Sequence, residues 1–165
     1  MSEIFKAGVL TMSDKGAHGN RIDESGEIAA DMLKAEGFDL AIKGIVPDRI
    51  EDITDTLIDW SDNKGLSLIV TSGGTGLSPT DVTPQAMRQI IDFEVPGISE
   101  AMRAASLKKT PHAMLSRAMA GVRGKCLIIN LPGSPRGVRE NLEIVLPALK
   151  HGLSKLSGDT SDCAS

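Results

Sequence analysis

Tyrosine is missing from this 165-residue sequence, and the other aromatic residues amount to one Trp and three Phe. The core therefore has to be aliphatic, and single-stranded nucleic acid loses the stacking platforms it would use. Clustered positive charge is missing as well. The 18 Lys and Arg stand against 22 Asp and Glu, for a net charge of −4, with no run of five basic residues. Binding to a phosphate backbone depends on such clusters, so nucleic acid is not an expected partner. Cysteine is scarce. Cys126 lies in an apolar run and Cys163 near the C-terminus, so a reducing, cytoplasmic compartment is expected and a disulfide framework is not. No apolar stretch approaches the ~20 residues of a membrane helix. Residues Met1 to Lys6 do not open a signal peptide.

What is present is the alternation of an α/β domain. This length suits a single domain that buries about two-thirds of its unfolded surface. Ala7–Leu10, Leu66–Thr71 and Cys126–Asn130 are apolar runs short enough for buried strands, and Leu40, Ile42, Gly44 and Val46 alternate as in a strand. Helical stripes lie between them: Ile28, Ala29, Met32 and Leu33, closed by Gly37; Ile50, Ile53, Leu57 and Ile58, closed by Gly65. Further stripes are Ala86, Met87, Ile90 and Ile91; Ile98, Ala101, Met102 and Ala105 after Pro96-Gly97; and Val138, Leu142, Val145, Leu146 and Leu149. Pro147 is placed to kink or split the last of these. Asp48 with Glu51 matches a capping box. Thr83 before Pro84, and Ser134 before Pro135, each read as an N-cap followed by proline at N1. Lys15–Gly26 reads as a loop, and Ser106–Lys125 fits a helix fragment or a hairpin. Residues 1–157 form one domain in this reading, and 158–165 a disordered tail.

Strands alternating with helices predict a mainly parallel sheet covered on both faces, with ligands beyond the carboxyl ends of the strands. Three loops fall there: Thr11–Gly26, Thr71–Asp81 and Asn130–Pro135. In Thr71-Ser72-Gly73-Gly74-Thr75-Gly76, consecutive glycines let backbone N–H groups surround an anion, and Ser72 and Thr75 add hydroxyls. A turn chosen only for its backbone geometry fits the string equally well. It is neither a Walker A loop nor GxGxxG. Asp81 beside such a site would repel phosphate unless Mg²⁺ lay between them; the other reading is a turn aspartate. Asp48 is explained locally as a cap, which leaves one carboxylate oxygen free to face the site. Pro132-Gly133-Ser134-Pro135 is a stiff turn whose helix start could also hold an anion. Ser13, Asp14 and Asp23–Gly26 either bond a polar ligand or shape the first loop. His18, His112 and His151 show no metal-ligand spacing.

The string Thr71 to Gly76 followed by Ser78-Pro79-Thr80-Asp81-Val82-Thr83-Pro84 resembles the signature of the molybdopterin-binding domain family. The likeness extends through Ser13-Asp14, Asp23 to Gly26, Val46-Pro47-Asp48, Pro96-Gly97 with Glu100 and Met102, Ser116-Arg117, and Leu131 to Pro135. It implies a three-layer α/β/α fold, a homotrimer, and adenylylation of molybdopterin with MgATP, releasing pyrophosphate. A molybdenum-inserting enzyme would receive the product. By position it implies Asp48 and Asp81 as catalytic and Mg²⁺-holding carboxylates. It implies Ser13, Asp14, Thr71, Ser72, Gly73, Gly74, Thr75, Gly76, Ser116, Pro132, Gly133 and Ser134 as substrate- and nucleotide-binding positions. Thr80 departs from the pattern, since many relatives carry a basic residue there; the change either removes a phosphate-binding charge or falls on a solvent-facing position. Sister groups leave a second reading, a molybdopterin-binding carrier or scaffold without catalysis. A third is a nucleotide enzyme like the domains fused to nicotinamide-nucleotide deamidases, which carry a second domain that this length would not hold.

Overall fold

The computed structural model describes residues 3–162. Its strands are β1 (Lys6–Met12), β2 (Asp39–Val46), β3 (Leu68–Ser72), β4 (Phe93–Glu94), β5 (Ala120–Arg123) and β6 (Cys126–Leu131), in one sheet of order β2-β1-β3-β6-β5-β4. The first four in that order run parallel, and β5 and β4 are antiparallel at the edge. The helices are α1 (Asp14–Ala17), α2 (Glu24–Ala35), α3 (Ile50–Ile58), α4 (Thr83–Ile90), α5 (Pro96–Leu107) and α6 (Pro135–Ser157). The result is a three-layer α/β/α fold. No helix of the described residues is long and apolar enough to cross a membrane.

The apolar runs become central strands because every residue of β3 and β6 is buried. Their side chains alternate between two cores. Val9, Val70, Ile129 and Leu131 meet Leu33 of α2, Met102 of α5 and Leu142 of α6. Leu10, Ile69 and Ile128 meet Ile53 and Leu57 of α3 and Met87 of α4. Trp60 lies in the second core over two glycines of the sheet. A Cβ on Gly8 would stand 3.0 Å from its ring, and one on Gly44 3.2 Å.

Several expected details differ. Lys15–Gly26 is not all loop: Ser13 caps α1 by accepting from Gly16 N, and Asp23 caps α2 by accepting from Gly26 N. Gly37 (φ +85°) closes α2 as expected, with Gly37 N bonded to Lys34 O and Phe38 N to Leu33 O, the Schellman pattern. Ser106–Lys125 holds both alternatives, a 3₁₀ turn at Pro111–Leu115 and the β5–β6 hairpin. Strand β4 was not foreseen, since two exposed residues leave no periodicity to read. Pro147 does not split α6. It is exposed, so the carbonyl it leaves without a partner can bond water while Val145 and Leu149 on the other face stay packed. α6 ends at Ser157, capped by Gly158 with φ +107°. Cys163 and residues 163–165 of the expected tail lie outside the described residues.

Leu142 is fully buried between α6 and the sheet. Leu142→Ala should lower stability by about 2–5 kcal/mol. The urea midpoint should fall with an unchanged m-value.

Candidate functional site

Register puts four strand ends on one line. Met12 pairs with Val46, Thr11 with Ser72, and Ser72 with Leu131. Ser13-Asp14, Pro47-Asp48, Gly73–Gly76 and Pro132–Ser134 therefore leave the sheet side by side. The chain from β1 turns toward β2, and the chain from β3 toward β6, so the crevice between them is the switch point of the sheet.

The glycine loop is held in a form that side chains would prevent. Gly73 has φ +98°, and a Cβ there would stand 2.6 Å from Met12 O; Gly74 has φ +68°, and a Cβ there would stand 2.3 Å from Thr83 Oγ1. Thr83, expected as an N-cap, makes no such bond. The helix starts one residue earlier on Val82, and the Thr83 hydroxyl donates to Gly73 O at 2.9 Å. It ties α4 to the loop instead. Gly73 N bonds Leu131 O, whereas the N–H groups of Gly74, Thr75 and Gly76 make no hydrogen bond within the described residues. Such a row of unpaired donors suits an anion.

Asp48 is not a helix cap. Arg49 occupies that place, without a side-chain bond. Asp48 Oδ2 accepts from Asp14 N at 3.1 Å, and Asp48 N donates to Asp14 Oδ1 at 2.9 Å. This reciprocal clasp staples the ends of β1 and β2. Asp48 Oδ1 lies 3.5 Å from where a Cβ of Gly74 would be, and Asp81 Oδ2 2.9 Å from where a Cβ of Gly76 would be. The two carboxylates thus flank the glycine loop. Burial pushes the Asp48 carboxyl above its ordinary value of 3.8, the Asp14 amide opposes that, and the negative charges of Asp14 and Asp81 push it further up. No three His, Cys, Asp or Glu side chains among the described residues gather closely enough to cage a metal. The donors fit Mg²⁺ in its other mode, one or two carboxylates with the remaining positions left to water and substrate phosphates. Asp48 and Asp81 are the residues that would hold it.

Two cavities open along this edge. The larger, about 460 Å³, is lined by Thr75, Gly76, Ser116, Pro132 and Ser134, and by Ser99, Met102, Arg103 and Ser106 of α5. The smaller, about 340 Å³, is lined by Ser13, Ser72, Gly73, Gly133 and Ser134. The loops meet between them, since a Cβ on Gly133 would lie 3.3 Å from Gly73 Cα. Ser134 caps α6 by accepting from Gly137 N at 3.0 Å. Ser72 Oγ is buried with no partner. Thr71 lines neither cavity: it is buried, and its hydroxyl accepts from Asn130 Nδ2 at 3.0 Å. Asp23 accepts from the Thr11 hydroxyl, and Ser25 donates to Gly133 O at 2.8 Å. Thr80 is exposed, its hydroxyl beside that of Ser78. Arg117 was not among the expected site residues, yet it bonds Gly76 O and Asp81 O. Nothing in its local sequence signals this, because both partners lie far back in the chain.

These features define an α/β domain whose glycine-rich loops and the carboxylates of Asp48 and Asp81 share the carboxyl edge of a parallel sheet. Residues 8–151 match the family described as "Probable molybdopterin binding domain". The chain belongs to that family of molybdopterin cofactor biosynthesis. It is similar to the solved structure of the molybdopterin biosynthesis enzyme MoaB of Thermus thermophilus, with 51% identity, a TM-score of 0.89, and coverage of 94% of this chain and 98% of that one. It is 40% identical to the molybdopterin adenylyltransferase of Helicobacter pylori (strain ATCC 700392 / 26695), over 95% of this chain and 90% of that protein. It is 43% identical to gephyrin of Dictyostelium discoideum over 94% of this chain, but spans only 23% of gephyrin.

Asp48→Asn should raise the thermal midpoint at pH 7 in metal-free buffer. A carboxyl raised by folding favours the folded state fully below 3.8, and that contribution is lost as pH rises through its folded value. The advantage of the variant should therefore shrink toward zero as pH falls below 4. Thermal melts across this range check it; an advantage that grows at low pH would contradict it.

Proposed function

We propose that this chain binds molybdopterin at the carboxyl edge of its sheet. The observation that carries this is the contact of two loops, Gly73–Gly76 with unpaired amides and Pro132–Ser134 at the start of α6, between two cavities. Amides and a helix N-terminus suit a terminal phosphate, and the mostly apolar wall of the larger cavity suits a flat ring system. The match of residues 8–151 to the probable molybdopterin binding domain supports this reading.

A second reading adds catalysis: adenylylation of molybdopterin with MgATP. It is favoured by the placement of Asp48 and Asp81 on either side of the glycine loop, and by the likeness to the Helicobacter adenylyltransferase. A phosphate oxygen of molybdopterin would attack the α-phosphorus of ATP, forming one P–O bond as the bond to pyrophosphate breaks. That oxygen is ionised at neutral pH, so no general base is needed and the work of the protein is positioning. The loop amides would hold the charge that develops on the phosphoryl oxygens. The carboxylates would keep the triphosphate in place, with Mg²⁺ supplying charge neutralisation when bound. A homotrimer and a cytoplasmic location belong to the same proposal. Exposed Met114 and Leu115 offer surface that an assembly would cover, and Cys126, buried and free among the described residues, suits a reducing compartment.

Purified protein given MgATP and molybdopterin should release pyrophosphate only when both are present. Asp81→Ala should lower turnover about 100-fold or more while shifting pterin affinity by no more than about threefold. Tight pterin binding without pyrophosphate leaves the binding reading and removes the catalytic one.

A further inference from the structure

Arg117 lies in the extended stretch that leads from the 3₁₀ turn into β5. Ser116 and Ala118 on either side line the larger cavity, and Arg117 does not. Alternation along extended backbone sends its side chain behind the glycine loop. There Nε donates to Gly76 O at 2.8 Å, Nη2 to Asp81 O at 2.7 Å and Nη1 to Gln85 Oε1 at 3.2 Å. Its backbone N–H donates to Thr75 O at 2.8 Å. Among the described residues the guanidinium makes no ion pair.

The segment it holds has little else to hold it. Leu77 to Thr80 are all exposed. Their other hydrogen bonds are internal: Ser78 N to Asp81 Oδ2, Asp81 N to Ser78 O, and Ser78 Oγ with Thr80. A trans peptide unit points its C=O and N–H in opposite directions. Drawing the Gly76 and Asp81 carbonyls back toward Arg117 therefore turns the N–H groups of Leu77 and Val82 the other way.

We propose that Arg117 is a positioning residue. It fixes the Gly76–Asp81 segment so that the Leu77 and Val82 amides face a phosphate and the Asp81 carboxylate stays beside the loop, where a cation would lie between it and the phosphate, without touching the ligand. This rests on the phosphate-binding reading of the site.

The test compares full-length Arg117→Gln and Arg117→Lys with the unaltered chain. In hydrogen exchange without ligand, the hydrogen-bonded amides of Ser78 and Asp81 should exchange about tenfold faster in the glutamine variant, with those of β1 and α6 unchanged. Lysine, able to hold one carbonyl, should fall between. In calorimetry, MgATP affinity should drop about tenfold in the glutamine variant and recover in part in the lysine variant. Unchanged exchange in the glutamine variant overturns the inference whatever the ligand. So does faster loop exchange with unaltered affinity. If the unaltered chain binds no MgATP, the adenylylation reading fails alone. Molybdopterin is then the probe, and the same loss of affinity is required of it.

Discussion

Parallel pairing of β1 with β2 on one side and β3 on the other is the constraint from which the whole edge follows. It aligns Met12 with Val46 and Thr11 with Ser72, and β3 carries the line on to Leu131. A slip of one residue would exchange the two faces of a strand and empty both cores. The same slip would move its loop about 3.3 Å out of line, enough to part Gly73 from Gly133. Core packing thus determines site geometry directly, through buried residues that no ligand touches.

The edge itself works against folding. Three acids stand near one another, two consecutive glycines hold positive φ, and Ser72 Oγ and Asn130 Oδ1 are buried without partners. Apart from the Asp14–Asp48 clasp, none of these helps the domain fold. Such local conflicts are concentrated where a site needs them and are offset by aliphatic packing elsewhere. Here the offset comes from two cores, one on each face of the sheet.

Sequence patterns were informative where the governing interaction is local. Buried runs marked β3 and β6, the Gly37 stop ended α2, and Ser134 with Pro135 began α6. They misled where a long-range partner outcompeted a local one. Asp48 has a capping-box neighbour in Glu51, but it bonds Asp14 from 34 positions away. Thr83 stands before a proline, but its hydroxyl serves Gly73. Arg117 enters the sequence reading only as part of the Ser116-Arg117 likeness, and its acceptors, backbone carbonyls 36 and 41 residues earlier, are what give it a role. The convergence of the three loops was legible from strand–helix alternation alone. The larger cavity was not, because its wall includes α5 and the 3₁₀ turn, whose placement in space no periodicity announces.

The directions of β1 and α6 have a consequence for how this unit combines with others. β1 starts at the edge opposite the loops, and α6 starts at Ser134 on the loop edge and runs back over the sheet. The first strand is entered, and the last helix left, on the far side from the cavities. Chain joined at either end would therefore enter or leave away from the loops. The domain is in that sense a module, whose chain can continue at either end without starting from the loop edge, in keeping with its likeness to less than a quarter of gephyrin.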